Sequence, residues 1–183
     1  KAHYAFDANQ LRLALIWQGD FIDASKHWLD RGAGFQGPAG ESVVALADGA
    51  PFAVLADEMT PWPKETGHKA GYQFEGYDLD ATLRPTLRYR WEELEVTDLI
   101  VAVDGKPAPH LERKLIFKGT LKSGTYYRAA ASKKIEAAGD GAWKLDGGLT
   151  IKLDRPARLR TVGGTMELLV PVSGPYLTQT YLW

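Results

Sequence analysis

Between Trp17 and Phe35 the chain reads WQGDFIDASKHWLDRGAGF, which sets Asp20, Asp23 and Asp30 around His27 and Trp28. A carboxylate beside an imidazole can orient it for proton transfer near neutral pH. The same oxygen and nitrogen atoms could ligate a metal ion. If the segment is helical, Asp23, His27 and Asp30 share one face. The competing structural reading has the acids capping a short turn while Trp28 and Leu29 fill the core. No nucleophile is matched to this cluster, so its residue types alone define no reaction.

A second carboxylate pair, Asp78 and Asp80, lies in YDLDAT. Residues two apart on a strand share a face at roughly 6–7 Å, a separation that glycoside cleavage can use. That chemistry also needs one carboxyl kept protonated, and a turn would leave both solvated and ionised. Asp140 and Asp146 in GDGAWKLDGG could offer oxygen to calcium, but lack the spacing of the twelve-residue calcium loop. His3, His27, His68 and His110 form no HExxH, and no serine stands in GxSxG. VGGT and DGG read as hairpin turns, because neither continues into a phosphate-binding loop. The chain has no cysteine, which removes thiolate chemistry, Cys-ligated zinc, iron–sulfur clusters and covalent c-type haem attachment from it. The reading is of no cofactor held by this chain and no assigned metal.

Six tryptophans and eight tyrosines are the richer signal. An exposed indole beside Asp, Glu or Arg suits a sugar ring, which stacks its C–H face and hydrogen-bonds through its hydroxyls. Trp62, between Pro61 and Pro63, can be read either as such a platform or as a core ring. Trp17, Trp91, Trp143 and Trp183 sit in strand-like runs, where burial is expected. The ligand-binding residues expected on this reading are Trp62, Asp20, Asp23, His27 and Trp28.

These side chains must be positioned by strands. TLRYRWE sets Leu87, Tyr89 and Trp91 against Arg88 and Arg90, and GLTIKLD alternates in the same way. LRLALIW, SVVAL, YQFEGYDL, DLIVAVDG, KLIFKG, ARLRTV, TMELLVPV and YLTQTYLW are further short runs bounded by turn residues. About a dozen closely spaced strands predict an all-β, antiparallel β-sandwich, with a large mutarotase-like sandwich as a fold-level analogy. Helical signal is confined to a turn or two in DASKHWLDRG and a few residues of SKKIEAAGDG, the latter flanked by strand-like sequence. GFQGPAGE and ADEMTPWPKETGHKAG read as surface loops, and VDGKPAPH as a long hairpin turn or a boundary. Residues 1–183 read as one domain.

Twenty-two basic and 23 acidic residues leave a formal charge of −1, which supplies no broad field for nucleic acid or an anionic membrane. No apolar run reaches the roughly 18–20 residues of a membrane span. KAHYAFDANQ is not a signal peptide, although a piece of a larger exported protein would look the same.

The order AFDANQLRLALIWQGDFIDASKHWLDRG, FEGYDLDATLRPTLRYRWEELEVTD, LERKLIFKG, YRAAASKKIEAAGDGAWKLDGGLTIKL and ELLVPVSGPYLTQTYLW resembles a domain of large exported proteins of planctomycetes and related bacteria. There it accompanies c-type cytochrome domains and dehydrogenase-like propellers. The resemblance spans nearly the whole chain and implies a periplasmic or extracellular setting with a haem- or dehydrogenase-bearing neighbour. It carries no catalytic residues over, and the chain has no Cys-x-x-Cys-His of its own. The function expected is a noncatalytic accessory module that binds carbohydrate or docks onto neighbouring domains. The alternatives are a saccharide-active enzyme using a carboxylate pair, such as Asp20 and Asp23 or Asp78 and Asp80, and an oligomerisation scaffold.

Overall fold

The computed structural model describes residues 1–28, 32, 34–105 and 108–183. Its strands run β1 (Ala2–Asp7), β2 (Arg12–Gln18), β3 (Glu41–Ala45), β4 (Phe52–Val54) and β5 (Tyr72–Leu79). They continue with β6 (Pro85–Trp91), β7 (Leu94–Val103), β8 (His110–Gly119), β9 (Thr125–Ser132) and β10 (Ile135–Gly139). The last are β11 (Ala142–Leu145), β12 (Thr150–Leu153), β13 (Arg158–Val162), β14 (Thr165–Pro171) and β15 (Tyr176–Leu182). Three short 3₁₀ turns, Ser25–Trp28, His68–Ala70 and Asp146–Gly148, are the helical elements among the described residues.

Pairing is antiparallel throughout. One sheet has eight strands in the order β10-β11-β12-β15-β8-β7-β6-β5, a second runs β13-β14-β9-β4, and a third β1-β2-β3. The two smaller sheets face the eight-stranded one across a shared apolar core, as in a β-sandwich. Period two decides which residues enter that core. On β8, Leu111, Arg113, Leu115 and Phe117 are buried while Glu112, Lys114, Ile116 and Lys118 are exposed. Leu94, Val96, Asp98 and Ile100 do the same on β7. Rings bridge the layers: Phe52 of β4 meets Phe117 edge-on at 6.0 Å, and Phe6 of β1 lies 6.1 Å from Tyr89. Burying each such ring or leucine stabilises the fold by about 1.5–3 kcal/mol.

VDGKPAPH is a hairpin connection within one sheet, since Val103 pairs with His110 on either side of it. Lys106 and Pro107 in that connection lie outside the described residues. VGGT closes the β13–β14 hairpin, with Val162 opposite Thr165. Gly163 and Gly164 have φ of +59° and +80°, the doubly positive backbone that a two-residue turn of matching twist demands. Ile135–Gly139 of SKKIEAAGDG is a strand, paired with β11. Its alanines and charges favour helix locally, but a partner strand and the buried Ile135 outweigh that preference.

Candidate functional site

The β2–β3 connection carries four of the five expected ligand-binding residues. Its base is a stack of rings. Trp17 is 3% exposed, donates from Nε1 to the Asp20 carbonyl at 2.9 Å, and lies parallel to Phe21 at 5.8 Å. His3 of β1 packs on both rings at 5.5 and 5.3 Å, with Nε2 2.9 Å from the Gly19 carbonyl. The bridge between Ile22 and Pro38 then ties the two arms of the connection together.

Beyond this base the chain turns outward. Asp23 Oδ1 accepts from the Ser25 amide at 3.0 Å and the Ser25 hydroxyl at 2.6 Å, organising the 3₁₀ turn Ser25–Trp28. The expectation that an acid caps a short turn here therefore holds for Asp23. The expectation that Trp28 fills the core does not, because Trp28 is 88% exposed. A single 3₁₀ turn on a surface connection is too short to bring its indole back over the sheets. Leu29 and Asp30 lie outside the described residues. Asp20 and His27 are exposed, as is Trp28, and Phe35 farther along the same connection is 90% exposed. Solvent screens the acids and the imidazole, so the connection offers exposed hydrogen-bonding groups and exposed rings more readily than a proton-transfer pair.

Trp62, read above as either platform or core, is core. It is 8% exposed, donates from Nε1 to the Ala50 carbonyl at 3.0 Å, and packs with Ala53, Leu55 and Leu169. The Arg128 guanidinium lies over its ring at 4.9 Å. Two prolines stiffen the loop, yet the ring turns under it to cover the outer side of β4 and β14, because that face carries apolar side chains. Trp91, Trp143 and Trp183 are partly buried against the main core, as their strand positions predict.

The second carboxylate pair is on the surface. Asp78 pairs with Arg88 at 2.9 Å across β5 and β6. Asp80 Oδ1 accepts from the Thr82 amide and hydroxyl and from the Arg84 amide at 2.7–3.0 Å. The Arg84 amide and the Thr82 hydroxyl hold the Asp80 carboxyl below its ordinary range, the opposite of what a general acid needs. His110 lies 3.8 Å from Glu112, His68 sits in its own short turn, and His3 packs on Trp17 and Phe21. Among the described residues no three His, Asp or Glu side chains are grouped to hold a metal ion.

Two charged networks lie between the layers or against them, and neither was singled out from sequence. Asp98 and Arg113, 0% and 3% exposed, pair at 2.6 Å inside the sandwich. The Tyr89 hydroxyl donates to Asp98 at 3.1 Å, Arg113 donates to the Tyr127 hydroxyl at 3.1 Å, and Tyr127 donates to Gln179 at 2.8 Å. On the outer side of β14, Glu167 binds Arg160 at 2.6 Å and Arg128 at 3.1 Å. Arg160 also donates to the Glu58 and Thr60 carbonyls, which fastens the Trp62 loop to the sheet. A period-two reading contains the signal for both. Asp98, Arg113, Gln179 and Glu167 each occupy a position whose neighbours two residues away include apolar core residues.

Comparison with protein-family models, curated proteins and solved structures returns no match for this chain.

Proposed function

We propose that the chain is a noncatalytic β-sandwich module that binds carbohydrate through the β2–β3 connection. The observation that carries this reading is the Trp28 indole, 88% exposed and flanked by His27 with Asp20 and Asp23 nearby in the chain. A sugar ring would stack its C–H face on the indole, with the imidazole and carboxylates taking its hydroxyls. Local anchoring supports the reading too, since Phe21, stacked on buried Trp17, gives the connection a fixed root.

Calorimetric titration and a glycan array test it. A glycan is expected to bind the native chain, and Trp28→Ala is expected to weaken it about tenfold or more, in line with about 1–3 kcal/mol per aromatic stack. Stability should change by less than about 0.5 kcal/mol, because an exposed ring contributes little to folding. Binding that survives Trp28→Ala, or the absence of any glycan ligand, sinks the reading.

A second reading rests on the exposed apolar side chains of the same region, Phe21, Ile22, Phe35 and Val43. These suit docking onto a neighbouring domain. By the resemblance, that neighbour would be a c-type cytochrome or dehydrogenase-like propeller domain of an exported parent protein. Pull-down of such a domain by the native chain, lost on Phe35→Asp while glycan binding is retained, would favour docking. The carboxylate-pair enzyme is the least supported, given the lowered Asp80. Turnover of a saccharide that is lost on alanine substitution of Asp20, Asp23, Asp78 or Asp80 would revive it.

A further inference from the structure

A cavity of about 130 Å³ lies between β2–β3, β9 and β11–β12, and no residue of the Ser25–Trp28 turn lines it. Native cores are packed with few voids larger than a water molecule, and a surface-connected recess of this size between the layers has room for a small molecule. Its walls include Leu13, Leu149 and Ile151, each 2% exposed or less, and its polar lining includes Arg113, Tyr127 and Tyr181. It reaches the surface past Ala47 and Asp146, both exposed, so a small molecule has a way in.

We propose that this cavity is a binding site for a small neutral ring compound bearing one hydrogen-bonding group, of about the size of phenol. Three observations carry the class. Volume sets the size: a cavity of about 150 Å³ lined by apolar side chains accommodates benzene. Charge sets neutrality. Each arginine in the lining already has a carboxylate: Arg113 has Asp98 at 2.6 Å, Arg128 has Glu167 at 3.1 Å, and Arg12 has Asp48. An anionic ligand would compete with these carboxylates for the guanidiniums, whereas a neutral one leaves the pairs in place. Construction sets the polar end. The Tyr127 hydroxyl is held between Arg113 and Gln179, and Gln179 is itself fixed by the Ala129 carbonyl at 3.0 Å. Hydroxyl and guanidinium groups therefore form a fixed polar patch beside the apolar walls of Leu13, Leu149 and Ile151.

The space is made by small residues. Ala129, Ala130 and Ala131 of β9 all line it, and Ala130 stands opposite Leu168, whose side chain is fully buried in the core. A larger residue at this point of β9 would fill the cavity.

Methyl-resolved NMR with phenol as the probe tests the proposal on the full chain. Phenol at millimolar concentration should shift the methyl resonances of Leu13, Leu149 and Ile151 with a single saturating curve. Ala130→Val, which adds two methyl groups to the cavity wall, should weaken that curve about tenfold or more. Benzoate should bind more weakly than phenol, and Trp28→Ala should leave phenol binding unchanged, which separates this site from the carbohydrate reading. The proposal is overturned if phenol leaves those methyls unmoved, shifts only surface resonances, or binds Ala130→Val as well as the native chain. Tighter binding of benzoate overturns the neutral class. Should Ala130→Val melt far below the native chain, the native shift map still decides, since unmoved core methyls refute the site by themselves.

Discussion

Arg113 and Asp98 hold each other inside the sandwich, and each alone would be a buried charge without a counterpart. Arg113 Nε donates to both Asp98 oxygens at 3.0 and 3.1 Å, and Nη2 to Oδ2 at 2.6 Å. Tyr89 adds a further donor to the same carboxylate. A pair of this kind is worth little against a well-packed apolar substitute, but leaving one member unpaired costs about 3–5 kcal/mol. Arg113→Met is therefore expected to lower unfolding free energy by about that amount, measured by urea denaturation. Arg113→Met combined with Asp98→Leu is expected to recover most of the loss. A double variant as unstable as the single one would show that the network's hydrogen bonds, not the uncompensated charge, dominate.

The β2–β3 connection depends on a close approach of its two arms. Gly40 sits where an added Cβ would fall 1.9 Å from the Gln18 carbonyl oxygen and 2.8 Å from that of Asp20. Both are backbone atoms, so neither can swing aside. Gly40→Ala should push the arms apart, loosen the root on which Phe21 and Trp17 stack, and cost roughly 1–3 kcal/mol. Thermal unfolding checks the cost. Glycan titration of the same variant checks whether that root positions Trp28: weakened binding with a folded core is the expected result. The contrast with Trp28→Ala, which removes the ring without touching the fold, separates positioning from contact.

At the scale of the whole molecule, the core is unusual in its buried tyrosines. Burial pushes Tyr4 up to about 12 from its ordinary 10.0, and burial likewise raises Tyr72, Tyr89 and Tyr127. In the unfolded chain these groups ionise near about 10. Below that pH both states keep their protons and the stability is intact. Above it the unfolded chain loses protons that the folded chain retains, so stability falls as pH rises, for Tyr4 until about 12. Urea midpoints are expected to stay level from about pH 8 to 9.5 and to drop between about 10 and 12, with tyrosinate absorbance lagging until unfolding. Tyrosinate that grows in near pH 10 without loss of structure would contradict this.

The strands of this protein are written in its local pattern. TLRYRWE, YQFEGYDL, ARLRTV and YLTQTYLW fall within or across strands to within a residue or two, because alternation at period two is a property of neighbouring residues alone. β4, only Phe52–Val54, and β10, rich in alanine, carry too few alternating positions to be read this way. The turn at Asp23 was also legible, since an aspartate two residues before a serine caps locally. Which way each ring faces was decided by tertiary structure. Trp62 and Trp28 both stand in irregular segments, yet one is 8% and the other 88% exposed. That difference depends on whether an apolar sheet face lies within reach of the ring, and no local spacing encodes it. The same holds for Asp98, Arg113, Tyr127 and Gln179: period two places each on an inward face, but only strand order brings β7, β8, β9 and β15 together so that their polar atoms meet.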